Sequence, residues 1–477
     1  MYRHFLVWVF WFALVARLAV ATLRFDMHWP DEHFQMLEPA SKVVFGYGLM
    51  SWEWLDGFRS WIMPSVFIPF FWLFKIFGIT GGLVPILFSR VLFATVSLSL
   101  IWGVDRLQKD LGYSRLTRWC VAVWFSFSIP MLLWAPATLS DAWVAALWWG
   151  LLPFALEALD KKRGFLAGFL ASLPFLFRFQ TGILGAVFGL LVFSNRKYRA
   201  QTGRVFLGGM INVLIYGAVD AITLGIPFGS LYRQLTEGVQ KSEFYGVSAW
   251  WDYFPKVWDN FGTSFCVLVG IIIGLALFKS RRNLKMPSWI FQITFFPITI
   301  YALVHFLIPH KETRFLLVVF PGIFMTLAIS IETLTQSLPE RWRDLKILHP
   351  VLEILLLTSL ALGSLFALKD RSLYLTSVDT AALFDRIYHE EKDKPVTQSC
   401  VLMIDNNWSF TRGSLGMGRQ YTGIDRNFNE LLPKDFKDCG WVITRTSTFP
   451  VVEDRAKRVG RKLEFVAETF SGFALYR

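Results

Sequence analysis

Apolar runs of membrane length recur along this chain, and they restrict its fold more than any other feature. They lie at about 5–23, 83–103, 118–135, 142–159, 164–177, 180–194, 204–222, 262–279, 288–308, 313–331 and 349–369. A bilayer core holds no water to satisfy backbone amides, so segments that cross it must be helices or strands of a closed barrel. Runs approaching twenty apolar residues point to helices. Composition agrees: 54% of the 477 residues are hydrophobic, with 47 Phe and 21 Trp. The fold class expected is an all-α polytopic membrane protein with about eleven transmembrane helices. The first run, FLVWVFWFALVARLAV, has no small-residue cleavage site after it and reads as a retained helix. A net charge of +12 could point to nucleic acid, but the basic residues sit in short runs between apolar segments, the pattern of cytoplasmic loops.

The stretch 61–78 is apolar too, but Pro64 and Pro69 break it. If it lies along the surface as an interfacial helix, every basic cluster falls on one side. These are Arg106 to Arg118, Lys161 to Arg163, Asn195 to Arg204, Lys279 to Lys285 and Arg341 to Lys346, together with Arg3. The positive-inside rule then places the N-terminus in the cytoplasm. The opposite face collects Asp26, Asp31, Glu32, Ser140, Asp141, Arg178, Gln180, Asp220, the loop 223–261 and the run His310-Lys311-Glu312-Thr313-Arg314. Such convergence is better explained by a shared site than by a solvated surface. The chain is thus expected to divide into a membrane catalytic domain, 1–369, and an extracytoplasmic tail, 370–477. Residues 24–82 form the first outer loop. The tail has soluble composition, with strand-like runs CVLMID, GWVIT and KLEFVAETF, and is expected to be a small α/β domain. Cys400 and Cys439 lie in the tail, where an oxidising compartment would permit a disulfide; no cysteine pair has metal-ligand spacing.

Asp31 and Glu32 follow Pro30. They can cap a helix, or one of them can take a proton from an acceptor hydroxyl. Adjacent helical residues point about 100° apart, so one acid is expected to face the reaction centre. Asp31 is the first choice for general base and Glu32 the second. Trp52 and Trp54 can stack on sugar faces or anchor at the membrane interface. Lys311 and Arg314, three apart at a helix start, would share a face, and a point charge beside a planar fork suits a phosphodiester. His310 can donate to the same oxygen. Arg178 is a lone charge between apolar runs and is expected either to pair with an acid or to bind a ligand.

Several of these stretches match a known family. DEHFQMLEP followed by FGYGLMSWEW resembles the first luminal loop of the dolichyl- or polyprenyl-phosphate-mannose-dependent mannosyltransferases, glycosyltransferase family 22. HKETRF resembles that family's HKE-x-RF signature. Arg59-Ser60-Trp61 with Pro64 is similar to its R-S-aromatic-x-x-P element, and Tyr245, Trp250 and Asp252 fall in its FYG…W…YF loop. Asp220 stands where the family has an Asp after a membrane helix. The usual SR-T-x-SN segment is replaced by Ala135 to Asp141, and RPT by Arg178-Phe179-Gln180-Thr181. The resemblance implies a GT-C fold and transfer of mannose, with inversion, from a polyprenyl or dolichyl phosphate to a glycolipid or lipid-linked glycan. It assigns Asp31 and Glu32 to catalysis, and Lys311, Arg314, His310 and Arg178 to the donor phosphate. It assigns Trp52, Trp54, Arg59, Asp141, Gln180, Asp220, Tyr245, Trp250 and Glu312 to substrate. No cofactor is expected beyond the lipid-phosphate donor, and no DxD motif supports a divalent metal. The partners implied are the donor, the acceptor and the bilayer, with no nucleic acid. The compartment expected is a bacterial inner membrane with a periplasmic site, or else the endoplasmic reticulum with a luminal one.

A transporter or flippase for a lipid-linked sugar is the competing class. It would show charges near the bilayer midplane and two related halves, and neither is evident. A purely structural subunit would need no convergence of polar groups on one face. The topology has a direct test: a cysteine introduced at Thr80 should react with a membrane-impermeant thiol reagent from the same side as one at Ser248. Labelling from opposite sides would show that 61–78 crosses the membrane.

Overall fold

A computed structural model describes residues 2–23, 30–244, 246–261, 270, 274, 288–336, 383–384, 386–387, 390–391, 398–404, 420–426, 436, 439–468 and 473–477. The chain divides into two compact units. One holds Met1–Val20, Phe93–Pro136 and Ser140–Asp370; the other holds Ala21–Leu92, Ala137–Leu139 and Arg371–Arg477.

The first unit is helical. Among the described residues, five helices of the whole chain are long and apolar enough to cross a membrane: Leu6–Leu23, Leu83–Asp110, Ser140–Asp160, Arg199–Leu224 and Trp289–Leu307. Gly164–Phe177 and Phe179–Ser194 are apolar but shorter. The expected runs 262–279 and 349–369 fall outside the described residues, apart from Gly270 and Gly274. The run at 118–135 is two helices, Arg115–Phe127 and Ile129–Trp134, broken at the extended Ser128, because Pro130 has no N–H for the Ser126 carbonyl and its ring would clash with it. Small residues let the helices approach closely. A Cβ on Gly168 would lie 1.9 Å from the Val205 carbonyl oxygen, and one on Gly103 1.8 Å from that of Trp149. The helix Ser140–Asp160 has a second function: its Trp149 indole donates to the Val318 carbonyl at 2.8 Å.

In the second unit, residues 30–45 form one helical run, Pro30–Glu32, a π-helical stretch His33–Leu37, and Glu38–Phe45. Gly46 ends it with φ 86°, a conformation that favours glycine. Beyond it, Ile62–Ser65 and Ile68–Ile76 are separate helices. The nine residues of Ile68–Ile76 reach about 14 Å, well short of a hydrocarbon core.

The tail carries a five-stranded sheet: β1 Gln398–Ile404, β2 Gln420–Arg426, β3 Trp441–Arg445, β4 Phe465–Glu468 and β5 Phe473–Tyr476. The spatial order is β2-β1-β3-β5-β4; β1 runs parallel to β2 and β3, and β5 antiparallel to β3 and β4. Alternation buries both faces. Trp441 and Ile443 enter a cluster with Val401 and Leu475, whereas Val442 enters another with Leu402 and Val452. CVLMID, GWVIT and part of KLEFVAETF are strands, as their patterns predict. QYTGIDR and FALY are strands too; the first is interrupted by Gly and charges and the second is only four residues long, so neither stands out in sequence. Cys400 and Cys439 form a disulfide with a Cα–Cα distance of 4.5 Å. Both thiols should therefore resist alkylation until reductant is added. Replacing the pair with serine should destabilise the tail by roughly 2–4 kcal/mol in denaturant unfolding.

Candidate active site

In the second unit, Asp31 is half-buried and Glu32 is 1% exposed. Glu32 Oε2 accepts from the Thr138 backbone N–H at 3.0 Å. A buried carboxylate held this way is fixed in place. Glu53 joins two more segments, accepting from Gln35 Nε2 at 3.0 Å and from Arg59 Nη2 at 2.6 Å. Arg59 is thus paired within the protein. Trp54 is buried, its indole donating to the Phe34 carbonyl at 2.7 Å and its ring 5.0 Å from Trp61. Trp52 is half-buried and meets Phe58 edge-on at 5.3 Å.

The first unit assembles the charged residues around the turn after Trp289–Leu307. Arg178 Nη1 lies 3.0 Å from Asp141 Oδ1, with side chains 9% and 4% exposed. The Arg178 guanidinium also covers the Phe315 ring at 4.9 Å. Gln180 is half-buried in the adjoining 3-10 turn, Phe179–Thr181. Tyr301 donates to the Phe315 carbonyl at 3.2 Å. Asp141, Arg178, Phe315 and Tyr301 thereby hold the far end of HKETRF.

Within that motif the cations are placed differently. Arg314 is gripped through both carboxylate oxygens of Glu312, Nη2 to Oε1 at 2.8 Å and Nε to Oε2 at 2.7 Å. His310 Nε2 is 3.0 Å from the same Oε1. Burial alone would raise the Glu312 pKa, but the Arg314 charge and the hydrogen bonds from His310 and Arg314 outweigh it and hold the pKa at about 2. Lys311 is 3% exposed. It precedes the 3-10 turn Thr313–Leu316, so the two cations do not share a helix face. Its Nζ donates to the carbonyls of Ile308 at 2.6 Å and Ser248 at 3.3 Å, and has no ion pair among the described residues. Desolvation lowers its pKa; Asp252 opposes that shift and Lys256 adds to it. Tyr253, 5.9 Å below Lys311 by its ring, is 1% exposed, and its hydroxyl has no hydrogen-bond partner among the described residues. Burial pushes its phenol above the ordinary range, so it stays protonated as a donor.

Asp220 is buried in Thr202–Leu224 and accepts from the Ser230 backbone N–H at 2.9 Å and hydroxyl at 2.6 Å, at the start of the helix Gly229–Thr236. Trp250 is 64% exposed. Tyr245 is outside the described residues. Among the described residues no three His, Cys, Asp or Glu side chains are grouped to hold a metal.

Comparison with known proteins gives this arrangement a context. The model of the Alg9-like mannosyltransferase family matches residues 8–409. The chain belongs to that family. It is 26% identical over 343 residues to GPI mannosyltransferase 3 of Yarrowia lipolytica, covering 69% of this chain and 62% of that one. It is 23% identical over 330 residues to mannosyltransferase APTG1 of Arabidopsis thaliana, covering 66% and 56%. The chain thus spans about three-fifths of the length of these relatives. Among solved structures it is similar to ArnT from Cupriavidus metallidurans bound to undecaprenyl phosphate, with TM-score 0.56, 12% identity, and 98% and 97% coverage. It is also similar to the Archaeoglobus fulgidus oligosaccharyltransferase, with TM-score 0.51, 11% identity, and 98% and 72% coverage. These likenesses show a GT-C fold.

Tyr301, Thr138 and Glu53 were not singled out in the sequence. Tyr301 carries a usable signal, because it and His305 are polar aromatic residues four apart in a largely apolar helix. Thr138 carries none, since its partner Glu32 is 106 residues away, and Glu53 sits in a loop whose fold-back onto Gln35 and Arg59 no local pattern encodes. The Glu312 carboxyl gains stability from its ion pair above its unfolded pKa of about 4.5, and loses that gain only as pH falls toward its folded value of about 2. Glu312→Gln should therefore change activity by a constant factor between about pH 5 and 8, without moving the profile there. A profile shifted in Glu312→Gln and equally in a Glu312→Gln, His310→Gln double variant, in which the imidazole cannot be the cause, would show that Glu312 titrates in that range.

Proposed function

We propose that this family member is a membrane mannosyltransferase that takes mannose from a polyprenyl or dolichyl phosphate and transfers it, with inversion, to a glycolipid or lipid-linked glycan. The carrying observation is Lys311, a buried cation whose hydrogen bonds among the described residues go to carbonyls and which has no ion pair among them, next to the planar fork of Arg314. A buried charge without an acid partner is poised to accept an anion. The undecaprenyl phosphate bound to ArnT and the relatives named as mannosyltransferases support the donor class.

In this reading, Asp31 takes the proton of the acceptor hydroxyl. The hydroxyl oxygen forms a bond to C1 of mannose on the face opposite the phosphate. The bond from C1 to the phosphate oxygen breaks, and its electron pair leaves with the polyprenyl phosphate. Lys311 and Arg314 stabilise the charge that develops on that leaving group. Arg314 begins paired with Glu312, so the donor phosphate competes with that carboxylate for the fork. Glu32 fixes the helical run that carries Asp31. Trp52, Trp54, Arg59, Asp141, Gln180, Asp220, Tyr245 and Trp250 shape the substrate surfaces, directly or through the groups they hold. The reaction faces away from the cytoplasm, into the periplasm of a bacterial inner membrane or the lumen of the endoplasmic reticulum.

Transfer from radiolabelled polyprenyl-phosphate mannose to candidate glycolipids tests this directly. Asp31→Asn should abolish turnover while donor binding persists. Lys311→Ala and Arg314→Ala should each lower kcat/KM about 30- to 1000-fold, the loss expected for one charge-assisted contact to a developing anion. Arg314→Lys should be impaired as well, because the fork is lost. If the three cation variants all stay within about threefold of the parent, the anion-site assignment is wrong.

A further inference from the structure

The family model ends at residue 409, before four of the five tail strands begin. Yet the tail is joined to the first outer loop. Both belong to one compact unit, and Leu49 packs against the hydrophobic cluster that includes Val401 of β1, Ile443 of β3 and Leu475 of β5. Leu49 is in turn fastened to the helical run 30–45. Its backbone N–H donates to Glu38 Oε2 at 2.6 Å, and Glu38 is fully buried. Two neighbours reinforce the fold-back. Ser41 Oγ donates to the Tyr47 carbonyl at 2.8 Å. A Cβ at Gly48 would lie 2.3 Å from the Glu38 carbonyl oxygen, so the close approach requires glycine there.

We infer that the tail sheet is a positioning element for the acids of the first loop, acting through Leu49 and Glu38. The inference rests on the reading of Asp31 as general base. Glu38 lies on the same run as Asp31, seven residues further along. An apolar side chain set in the sheet core fixes the loop tip, the carboxylate fixes the tip to the helical run, and the run carries Asp31 and Glu32. The π-helical stretch His33–Leu37 lies between Glu38 and the acids, and such stretches are frequent at functional sites. Leu49 and Glu38 are positioning residues; neither is assigned contact with the sugar or the phosphate.

The test uses full-length protein in lipid, with polyprenyl-phosphate mannose as donor and a mannosylated glycolipid as acceptor. Leu49→Ala should lower kcat per folded protein about 10- to 100-fold, because a displacement of the order of 1 Å at a reacting group is that expensive. KM for the donor should stay within about twofold, since ground-state binding is untouched. Leu49→Met should restore turnover by refilling the pocket. Glu38→Gln should also lower kcat, and its effect should not add to that of Leu49→Ala, since both break one link. Hydrogen–deuterium exchange should quicken in residues 30–45 of Leu49→Ala while β1 and β3 keep their protection. A purely structural role would instead deprotect the strands and leave the specific activity of the folded fraction unchanged. If Asp31→Asn is inactive while Leu49→Ala has parental kcat and parental exchange in 30–45, the positioning link is wrong and the base assignment stands. If Asp31→Asn turns over normally, the base assignment falls, and unchanged exchange in 30–45 then rejects the link independently.

Discussion

Arg178 brings a full positive charge into a nearly solvent-free part of the helical unit, and Asp141 answers it at 3.0 Å. Removing one partner of such a pair strands the other charge, at a cost of about 3–5 kcal/mol. The geometry around the pair makes it more than a local contact. Asp141 stands in the first turn of Ser140–Asp160, and Arg178 stands at the break between two short apolar helices. The Arg178 guanidinium supports the Phe315 ring, Tyr301 holds the Phe315 backbone, and Trp149 of the same long helix holds Val318. The turn that carries Lys311 and Arg314 is thus anchored at its far end by hydrogen bonds and one ion pair. In an apolar protein such groups must be satisfied internally, which restricts the turn to few arrangements.

Within the turn, the two cations differ in what neutralises them. Glu312 uses both oxygens on Arg314 and shares one with His310, leaving a local charge close to balance. Among the described residues, Lys311 has carbonyl dipoles and a ring face but no ion pair. Its burial therefore favours any process that brings a negative charge to it. Arg314 can serve the same charge only by releasing Glu312. The motif holds one cation paired with a carboxylate and one that is not ion-paired among the described residues, a distinction that residue types alone do not reveal.

The other unit follows a different logic. Its acids lie on a short helical run, where Glu32 and Glu38 accept from backbone N–H groups, of Thr138 and Leu49. Each such bond offsets the burial of a charge and ties the run to a segment far away in sequence. Asp31 is half-buried at the start of the run. A soluble-type sheet, stapled by Cys400–Cys439 and buried on both faces, supplies the rigid body against which the loop tip packs.

The sequence by itself determined the membrane class, the helical character of the apolar runs, the α/β character of the tail and the family, because each depends on local composition or a contiguous motif; the breaks that split 118–135 into two helices and make the start of 313–331 a 3-10 turn appear only in the structure. Backbone satisfaction in lipid leaves helices as the reading of long apolar runs, and alternation marks strands that bury one set of side chains. It also marked Arg178 as a charge needing an answer, but left open whether an acid or a ligand supplies it. Only the tertiary structure decided that Asp141 does. Likewise, the spacing of Lys311 and Arg314 predicted a shared helix face, and the structure places Lys311 ahead of the turn instead, where carbonyls of Ser248 and Ile308 accept its hydrogen bonds. Trp54, legible as a sugar-stacking or interfacial residue, proves to be packed on Trp61. The linkage of Leu49 to the tail has no trace in sequence. Such contacts pair residues hundreds of positions apart, and their existence depends on which surfaces the fold brings within a few ångströms, which no local pattern encodes.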